Sequence, residues 1–374
     1  MAQSQVAEDL QTSPLEYSSV AFVKDELIRL VSEIDAQPDL LSLRRAAARI
    51  KQRLNHPLPV SGPPSSVETD SSVVSLRRDV LASELDQIIE AQTIERARYY
   101  AKRLERGVSK IKTAKINDIN LNRWKEYSDV ITDSLWVVPK RDQTGAHLGW
   151  YWGNFIPQIP RQMMQRYTKK GDWVLDPFSG SGTTLIECRR LGRNGIGVEL
   201  NQEVAAQSTA LIDEEPNQNS VTAKVVAGDS RTTDIRTVLA RCGAKRIQFL
   251  IMHPPYHDII NFSDSKADLS NAPTPEAFLE MLGEVIDNTA PLLDRGRYFA
   301  LVIGDKYSKG EWIPLGFQCM NEVLRRGFSL KSIIVKNFDD TRAKRDQKQL
   351  WRYRALVGGF YIFKHEYIFL FKKK

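Results

Sequence analysis

The sequence contains little cysteine and no long uncharged apolar run. Three cysteines occur among 374 residues, far apart and without a C-x-x-C pair, so neither a disulfide framework nor a zinc site is indicated. No stretch of about 18 uncharged apolar residues occurs, so no transmembrane helix and no membrane partner are expected. The first residues lack the basic start and apolar run of a secretory signal. These absences favour a reduced, cytoplasmic protein without a bound metal.

Charge is distributed unevenly along the chain. The formal net charge is +7, a modest excess that many proteins without a nucleic-acid role share. Lysine and arginine are concentrated between residues 94 and 125 and again between 336 and 354. Clusters of this kind neutralise phosphates, so a polyanionic partner is compatible with both segments.

The N-terminal third has a helical pattern. Residues 1–20 are polar and are predicted to be a disordered tail. Residues 21–125 are predicted to be a helical region, with helices over 22–54 and 73–112 where apolar residues recur at helical spacing. A segment rich in Pro, Gly and Ser near 56–72 separates them and predicts a linker. No internal repeat is evident from the sequence.

The pattern changes near Gly149, where short apolar runs begin to alternate with helical segments. Alternation of this kind predicts an α/β domain over 126–374 with a largely parallel sheet covered on both faces. The last two strands can form an antiparallel pair joined by a basic insert, 337–359. The seven predicted strands are 172–175, 195–200, 223–227, 249–252, 298–304, 328–335 and 360–371.

The strongest local signal is the segment DPFSGSGTT, Asp176 to Thr184. It follows a predicted strand and opens a predicted helix. Its glycines allow a tight turn and close approach of a ligand, and a helix N-terminus attracts negatively charged groups. No lysine follows the last glycine, so it is not a Walker loop, and it does not match G-x-G-x-x-G. A purely structural glycine turn is an equally good interpretation of this segment taken alone.

Polar or special residues also follow the next three strands. Glu199 ends the second strand, where an acid can accept from ribose hydroxyls. Asp229 follows the third and can accept from an adenine amino group or cap the next helix. The tetrapeptide His253 to Tyr256, HPPY, follows the fourth and places an aromatic stacking face beside two prolines. Because ligands of open α/β sheets bind at the carboxyl ends of strands, the combination is more specific than any member.

At these residues the chain resembles the DNA methyltransferases that modify amino groups, adenine N6 or cytosine N4. DPFSGSGTT resembles their cofactor loop, HPPY their catalytic tetrapeptide, and GNFIPQIPRQMMQRYTKKGDWVLDPF the segment before the loop. The resemblance covers about 127–374 and implies a Rossmann-like seven-stranded methyltransferase sheet that binds S-adenosylmethionine. It implies cofactor contacts from Asn154, Phe155, Ile156, Asp176, Pro177, Phe178, Ser179, Gly180, Gly182, Thr183, Glu199 and Asp229. It implies that His253, Pro254, Pro255 and Tyr256 hold a target base.

The chain departs from the family pattern at His253, where Asp, Asn or Ser is usual. A neutral histidine can accept a hydrogen bond from the target amine through one ring nitrogen, whereas a protonated one cannot. The carbonyl of Pro254 would accept the second N–H. The departure leaves adenine and cytosine open as targets. It also keeps a non-catalytic, cofactor- and DNA-binding subunit as an alternative, beside an enzyme that methylates RNA amines.

Double-stranded DNA is the expected partner, and the flipped-out base must be read in its sequence context. The basic insert is the candidate recognition loop, through Arg342, Lys344, Arg345, Arg352 and Arg354. The basic helix that carries Arg96 and Arg103 is a second candidate and can equally be a packing or dimerisation helix. A cognate restriction endonuclease and a homodimer are both compatible with the sequence.

Overall fold

The computed structural model describes residues 19–54, 73–338 and 348–374. The chain divides into two compact units. Unit 1 contains residues up to 115 together with 119–130, and unit 2 contains 116–118 together with 131–374. The predicted tail and linker lie almost entirely outside the described residues.

Unit 1 contains two short strands and four helices in its described part. They are β1 (Ser19–Val23), α1 (Lys24–Asp35), α2 (Leu40–Leu54), β2 (Val73–Arg77), α3 (Arg78–Ile89) and α4 (Ile94–Ser109), followed by a 3-10 turn at Leu121–Glu126. The strands pair antiparallel. The predicted unbroken helix over 73–112 is wrong, because the side chain of Thr93 accepts from the Arg96 N–H and starts a new helix there.

Unit 1 contains a structural repeat that the sequence did not reveal. Each half is a strand followed by two helices, and the buried positions recur at one constant spacing. The pairs are Leu27 and Leu81, Val31 and Leu85, Ile34 and Ile88, Leu43 and Ala97, Ala47 and Ala101, Ile50 and Leu104, and Leu54 and Val108. Arg44 donates to the Ala91 carbonyl, and the equivalent Arg98 donates to the equivalent Gln37 carbonyl. The two halves therefore share both their apolar pattern and one arginine contact.

Unit 2 is an α/β domain. Its strands are β3 (Leu135–Trp136), β4 (Trp173–Asp176), β5 (Asn194–Glu199), β6 (Ala223–Ala227), β7 (Ile247–Met252), β8 (Leu293–Ile303), β9 (Lys306–Ser308), β10 (Glu311–Ile313), β11 (Ser329–Asn337) and β12 (His365–Lys372). Its helices are α5 (Gln158–Tyr167), α6 (Thr183–Leu191), α7 (Gln202–Glu214), α8 (Ile235–Arg241), α9 (Pro275–Thr289), α10 (Leu315–Arg325) and α11 (Lys348–Gly358).

The central sheet has eight strands in the order β3-β11-β12-β8-β7-β4-β5-β6. Strands β8, β7, β4, β5 and β6 are parallel, and β12 is antiparallel to both neighbours. The predicted count of seven strands is corrected by β3, a two-residue edge strand too short to give an alternating pattern. The predicted antiparallel pairing of the last two long strands is confirmed.

Helices cover both faces of the sheet because its strands are apolar on both sides. Phe249 and Ile251 of β7 pack on one face with Met163 of α5. Leu250 packs on the other face with Phe278 of α9. All these side chains are fully buried. This two-sided core fixes the strand ends from which the site is built. In the described parts of the chain, no helix is both long and apolar enough to cross a membrane.

Candidate active site

The carboxyl ends of the parallel strands open into a cavity of about 1120 Å³. It lies where β4 separates β5 on one side from β7 on the other, the position at which open α/β sheets bind ligands. Segments after β4, β5, β6 and β7 all contribute to its lining. Its size exceeds that of an ordinary small-molecule pocket, roughly 300–1,000 Å³, so it can hold more than one ligand group.

The loop between β4 and α6 lines one side of the cavity. Gly180 and Gly182 adopt positive φ angles of 50° and 78°, a conformation that only glycine reaches without strain. Asp176 is fully buried behind the loop, and its carboxylate accepts from the Phe178 N–H at 3.0 Å and the Thr184 hydroxyl at 2.5 Å. Burial raises the pKa of Asp176 to about 6. Asp176 and Gly182 therefore shape the loop and do not line the cavity.

Glu199 at the end of β5 ties this loop to the neighbouring strand. One carboxylate oxygen accepts from the Gly180 N–H and the other from the Asn201 N–H, both at 2.9 Å. The side chain is buried and lines the cavity. Burial raises the pKa of Glu199, although these hydrogen bonds oppose it. Each oxygen keeps further lone-pair capacity for ligand hydroxyls.

Asp229 lies in the cavity wall after β6. Its carboxylate is held by Arg231, whose guanidinium approaches to 2.8 Å. The alternative of a helix cap is wrong, because α8 begins later and the side chain of Asp234 caps it. Asp229 is thus placed by an arginine as a cavity-lining acceptor.

The segment before α5 packs against the loop. The Asn154 side-chain amide donates to the Ser181 hydroxyl at 2.6 Å, and its carbonyl accepts from the Thr183 hydroxyl at 3.2 Å. The guanidinium of Arg141 donates to the Phe155 carbonyl at 2.8 Å. These bonds bring Asn154, Phe155 and Ile156 to the cavity wall.

The tetrapeptide after β7 forms the opposite side of the cavity. The His253 ring lies edge-on to Phe155 and to Tyr256, at centroid distances of 5.0 and 5.5 Å. Gly304 leaves room for the Tyr256 ring, since a Cβ there would come within 2.7 Å of it. Burial lowers the pKa of His253 to about 4, although the Glu366 charge opposes that shift. The imidazole is therefore neutral at pH 7 and able to accept a hydrogen bond.

Two buried charged residues lie behind the tetrapeptide, and sequence reasoning missed both. The Tyr256 hydroxyl donates to Glu366 at 2.9 Å and lies 3.1 Å from His253 Nε2. Glu366 also accepts from Lys336 at 2.9 Å, across directly paired positions of β11 and β12. Burial would raise the pKa of Glu366, but Lys336, His253 and Tyr256 outweigh it and hold that pKa below its ordinary value. The only signal in the sequence was a lysine at the end of the apolar run of β11 and a glutamate at the start of the apolar run of β12.

The cavity brings together most of the predicted site residues. Those that line it are Asn154, Phe155, Ile156, Pro177, Phe178, Ser179, Gly180, Thr183, Glu199, Asp229, His253, Pro254, Pro255 and Tyr256. Lining residues that sequence reasoning missed include Arg141, Trp150, Tyr151, Trp152, Asp305, Lys336, Phe338 and Glu366. The aromatic run WYWG was visible in the sequence but matched no recognised motif.

The basic insert is described only in part. Arg342, Lys344 and Arg345 lie outside the described residues. Arg352 and Arg354 are exposed on α11, where the Arg354 guanidinium lies 5.2 Å from the Trp351 ring. Among the residues of 19–54, 73–338 and 348–374, no His, Cys, Asp or Glu cluster could hold a metal ion.

The sheet order, the glycine loop before α6 and the cavity at the switch point define a Rossmann-like fold of the methyltransferase type. The family model described as N6/N4 DNA methylase matches residues 84–210, about a third of the chain. That match includes the cofactor-loop segment and begins before Tyr127, where the sequence resemblance was first apparent.

Curated relatives share shorter segments with this chain. Type II methyltransferase M.MjaII of Methanocaldococcus jannaschii is 45% identical over 51 residues, 14% of this chain and 10% of the relative. Type II methyltransferase M.XycI of Xanthomonas campestris pv. cyanopsidis is 36% identical over 94 residues, 25% of this chain and 29% of the relative. The aligned segments thus span less than a third of either relative.

Among solved structures, TrmN from Thermus thermophilus is similar to this chain at 14% identity and a TM-score of 0.38, over 59% of this chain and 49% of that one. The family match and the named relatives confirm the resemblance to the amino-group-modifying DNA methyltransferases.

Proposed function

We propose that the protein transfers a methyl group from S-adenosylmethionine to an exocyclic amino group of a flipped-out base in DNA. The observation that carries this proposal is one cavity with two different walls. The glycine loop, Glu199 and Asp229 form a wall suited to a nucleoside with a carboxylate. His253, Pro254 and Tyr256 form a wall suited to a planar base.

The chain's residues fit the proposed cofactor. The N-terminus of α6 favours a carboxylate, and Glu199 and Asp229 offer acceptors for hydroxyl and amino groups. The Glu199 carboxylate lines the cavity and keeps lone-pair capacity beyond its bonds to the Gly180 and Asn201 N–H groups, which ribose hydroxyls would use. Aromatic rings such as Trp150 suit a cation. When bound, S-adenosylmethionine supplies a methyl group activated by its sulfonium.

The opposite wall would align and polarise the target amine. A neutral His253 can accept one of its N–H groups and the Pro254 carbonyl the other, which directs the nitrogen lone pair towards the cofactor side. Tyr256 would stack on the base. Alignment and electrostatic fit are then the main sources of rate enhancement. A neutral His253 retains this acceptor, which favours an enzyme over a binding-only subunit.

The direct test is transfer of labelled methyl from S-adenosylmethionine to duplex DNA by the full chain, with RNA in parallel. We expect label in DNA, and hydrolysis to single nucleosides would identify N6-methyladenine or N4-methylcytosine. Label in RNA alone would replace the proposal with RNA methylation. Cofactor binding without transfer to either polymer would support the binding-only subunit.

The ring of His253 should titrate well below the ordinary pH range of an imidazole. The titratable groups around it are Tyr256, Glu366 and Lys336. Because its pKa is lowered from 6.5 to about 4, the acceptor is present above that pH and is lost as pH falls through it. We expect the imidazole signal of His253, assigned with the spectrum of His253→Ala, to titrate with a midpoint near pH 4 by NMR, while circular dichroism confirms the folded state. A midpoint near 6.5 would contradict this environment for His253.

We further propose that the 126–374 region is the catalytic domain and that its insert 337–359 contacts DNA. Phe338 at the start of this insert and Phe363 just beyond its end both line the cavity. Arg352 and Arg354 are exposed on the helix between them. They are therefore available to phosphates beside a base that enters the cavity.

Replacing Arg352 and Arg354 with alanine should weaken DNA binding and reduce its salt dependence. Each lost phosphate contact lowers the slope of log Kd against log salt by about 1. Fluorescence anisotropy of a labelled duplex over a salt series measures this. The charge-matched control is Lys224→Ala with Arg236→Ala, two exposed residues on and near the β6 edge, away from α11. Equal slopes for both double variants would remove the insert from the proposed interface.

A further inference from the structure

A chain of hydrogen bonds connects the catalytic histidine to a buried ion pair. His253 Nε2 lies 3.1 Å from the Tyr256 hydroxyl, which donates to Glu366 at 2.9 Å, and Glu366 binds Lys336 at 2.9 Å. Lys336 and Glu366 are only 4% and 8% exposed. Neither residue belongs to a motif that the proposed function used. Stability alone does not account for a buried ion pair of this kind, because the cost of desolvation usually cancels its favourable contribution.

The direction of each hydrogen bond follows from the charge of Glu366. The ammonium of Lys336 keeps this carboxyl ionised, and an ionised carboxylate only accepts. The Tyr256 hydroxyl therefore donates its hydrogen bond to Glu366. The Tyr256 oxygen can then only accept from His253, so the proton of the neutral imidazole lies on Nε2.

We propose that Lys336 and Glu366 are positioning residues that fix the tautomer of His253 through Tyr256. With the proton held on Nε2, Nδ1 keeps its lone pair and is the nitrogen that can accept from a target amine. A histidine without this constraint would divide between two tautomers, and one of them offers the target no acceptor. The tautomer assignment stands on the contacts alone, whereas its consequence for turnover rests on the proposed function.

Control of the tautomer allows histidine to replace the usual acceptor of the tetrapeptide. Asp, Asn and Ser accept through oxygen atoms that need no tautomeric control. An imidazole needs a partner that selects the nitrogen, and in metal and catalytic sites a second hydrogen bond does this. Tyr256 supplies that bond, and β11 and β12 hold the ion pair directly behind it.

The test is Glu366→Gln. Lys336 would attract the side-chain carbonyl of the introduced glutamine, which turns the amide NH₂ towards Tyr256. Tyr256 would then accept from this amide and donate to His253 Nε2, so the imidazole proton would move to Nδ1. In the double variant Lys336→Met with Glu366→Gln, the amide is free to turn its carbonyl back to Tyr256. The original tautomer should then return.

The readout is ¹⁵N NMR of histidine-labelled protein at pH 7, without DNA or cofactor. The chain has five histidines, and the spectrum of His253→Ala assigns the signal. We expect the Nε2–H tautomer in the parent chain, the Nδ1–H tautomer in Glu366→Gln and recovery in the double variant. An unchanged tautomer in folded Glu366→Gln would overturn the inference. If that variant does not fold, Tyr256→Phe should give a mixture of tautomers, and a single Nε2–H form would overturn it.

Methyl transfer gives a second readout, which separates the control of the His253 tautomer from its effect on turnover. We expect kcat of Glu366→Gln to fall by roughly 10²-fold with KM for DNA and cofactor nearly unchanged, and to recover in the double variant. If Lys336 and Glu366 were purely structural, their losses in kcat would add in the double variant. That result would contradict a positioning role. If the NMR pattern is found but no polymer is ever methylated, the tautomer control stands and the proposed function fails.

Discussion

Replacing His253 with alanine should leave cofactor binding intact and reduce methyl transfer by about 10²–10³-fold, the usual cost of removing one preorganised polar group. The ring lies in the wall opposite the glycine loop, so its loss removes an acceptor for the amine and leaves the loop's contacts in place. Isothermal titration measures cofactor affinity, and labelled methyl transfer to DNA measures turnover. Full turnover by His253→Ala would remove this residue from the mechanism.

His253→Asn is the matched control for that variant. Asparagine fits the position in related tetrapeptides and offers an amide oxygen that accepts without tautomeric control. It should therefore recover part of the turnover that alanine loses. An asparagine variant as inactive as the alanine variant would show that the ring packing of His253 against Phe155 matters more than its acceptor.

Replacing Glu199 with alanine should weaken cofactor binding by about 10-fold or more, because hydrogen bonds to charged groups contribute roughly 1.5–3 kcal/mol each. Two effects combine. The Gly180 N–H loses the acceptor that ties the loop to β5, and the cavity loses the carboxylate that we propose accepts from ribose hydroxyls. Titration calorimetry with S-adenosylmethionine measures the change in Kd.

The control for Glu199 is Glu203→Ala. Glu203 is exposed on α7, so its replacement removes the same charge nearby without touching the cavity. The cofactor Kd of this control should stay within about twofold of the parent value, well inside the 1.4 kcal/mol that a tenfold change represents. Equal losses in the two variants would mean that general electrostatics, and not the Glu199 contacts, sets the affinity.

Much of the unit 2 fold was predictable because its strands are apolar on both faces and its turns carry strong signals. Helix α6 begins at Thr183, directly after the glycine loop, and ends at Leu191, where Gly192 adopts the positive φ typical of a helix C-terminus. Strand β3 was not predictable, because two residues show no alternation. The repeat in unit 1 was hidden because only burial positions, and few residue identities, recur between its halves.

The position of the site was predictable where a single polar residue directly follows a parallel strand. Glu199, Asp229 and His253 were found in this way and all line the cavity. Asp176 was placed in the cofactor site, yet its carboxylate is committed to the loop backbone and Thr184. Lys336 and Glu366 were missed because their pairing depends on the register of two strands far apart in sequence, which the local pattern does not specify.

The central claim is that one cavity transfers a methyl group to a base amine in DNA. Its most direct test is single-molecule sequencing of genomic DNA from a host that expresses the full chain, read for both adenine-N6 and cytosine-N4 methylation. We predict one methylated sequence motif in that host and its absence in a host that expresses His253→Ala at equal level. Unmodified DNA in both hosts, from a protein that is folded and binds S-adenosylmethionine, would contradict the claim.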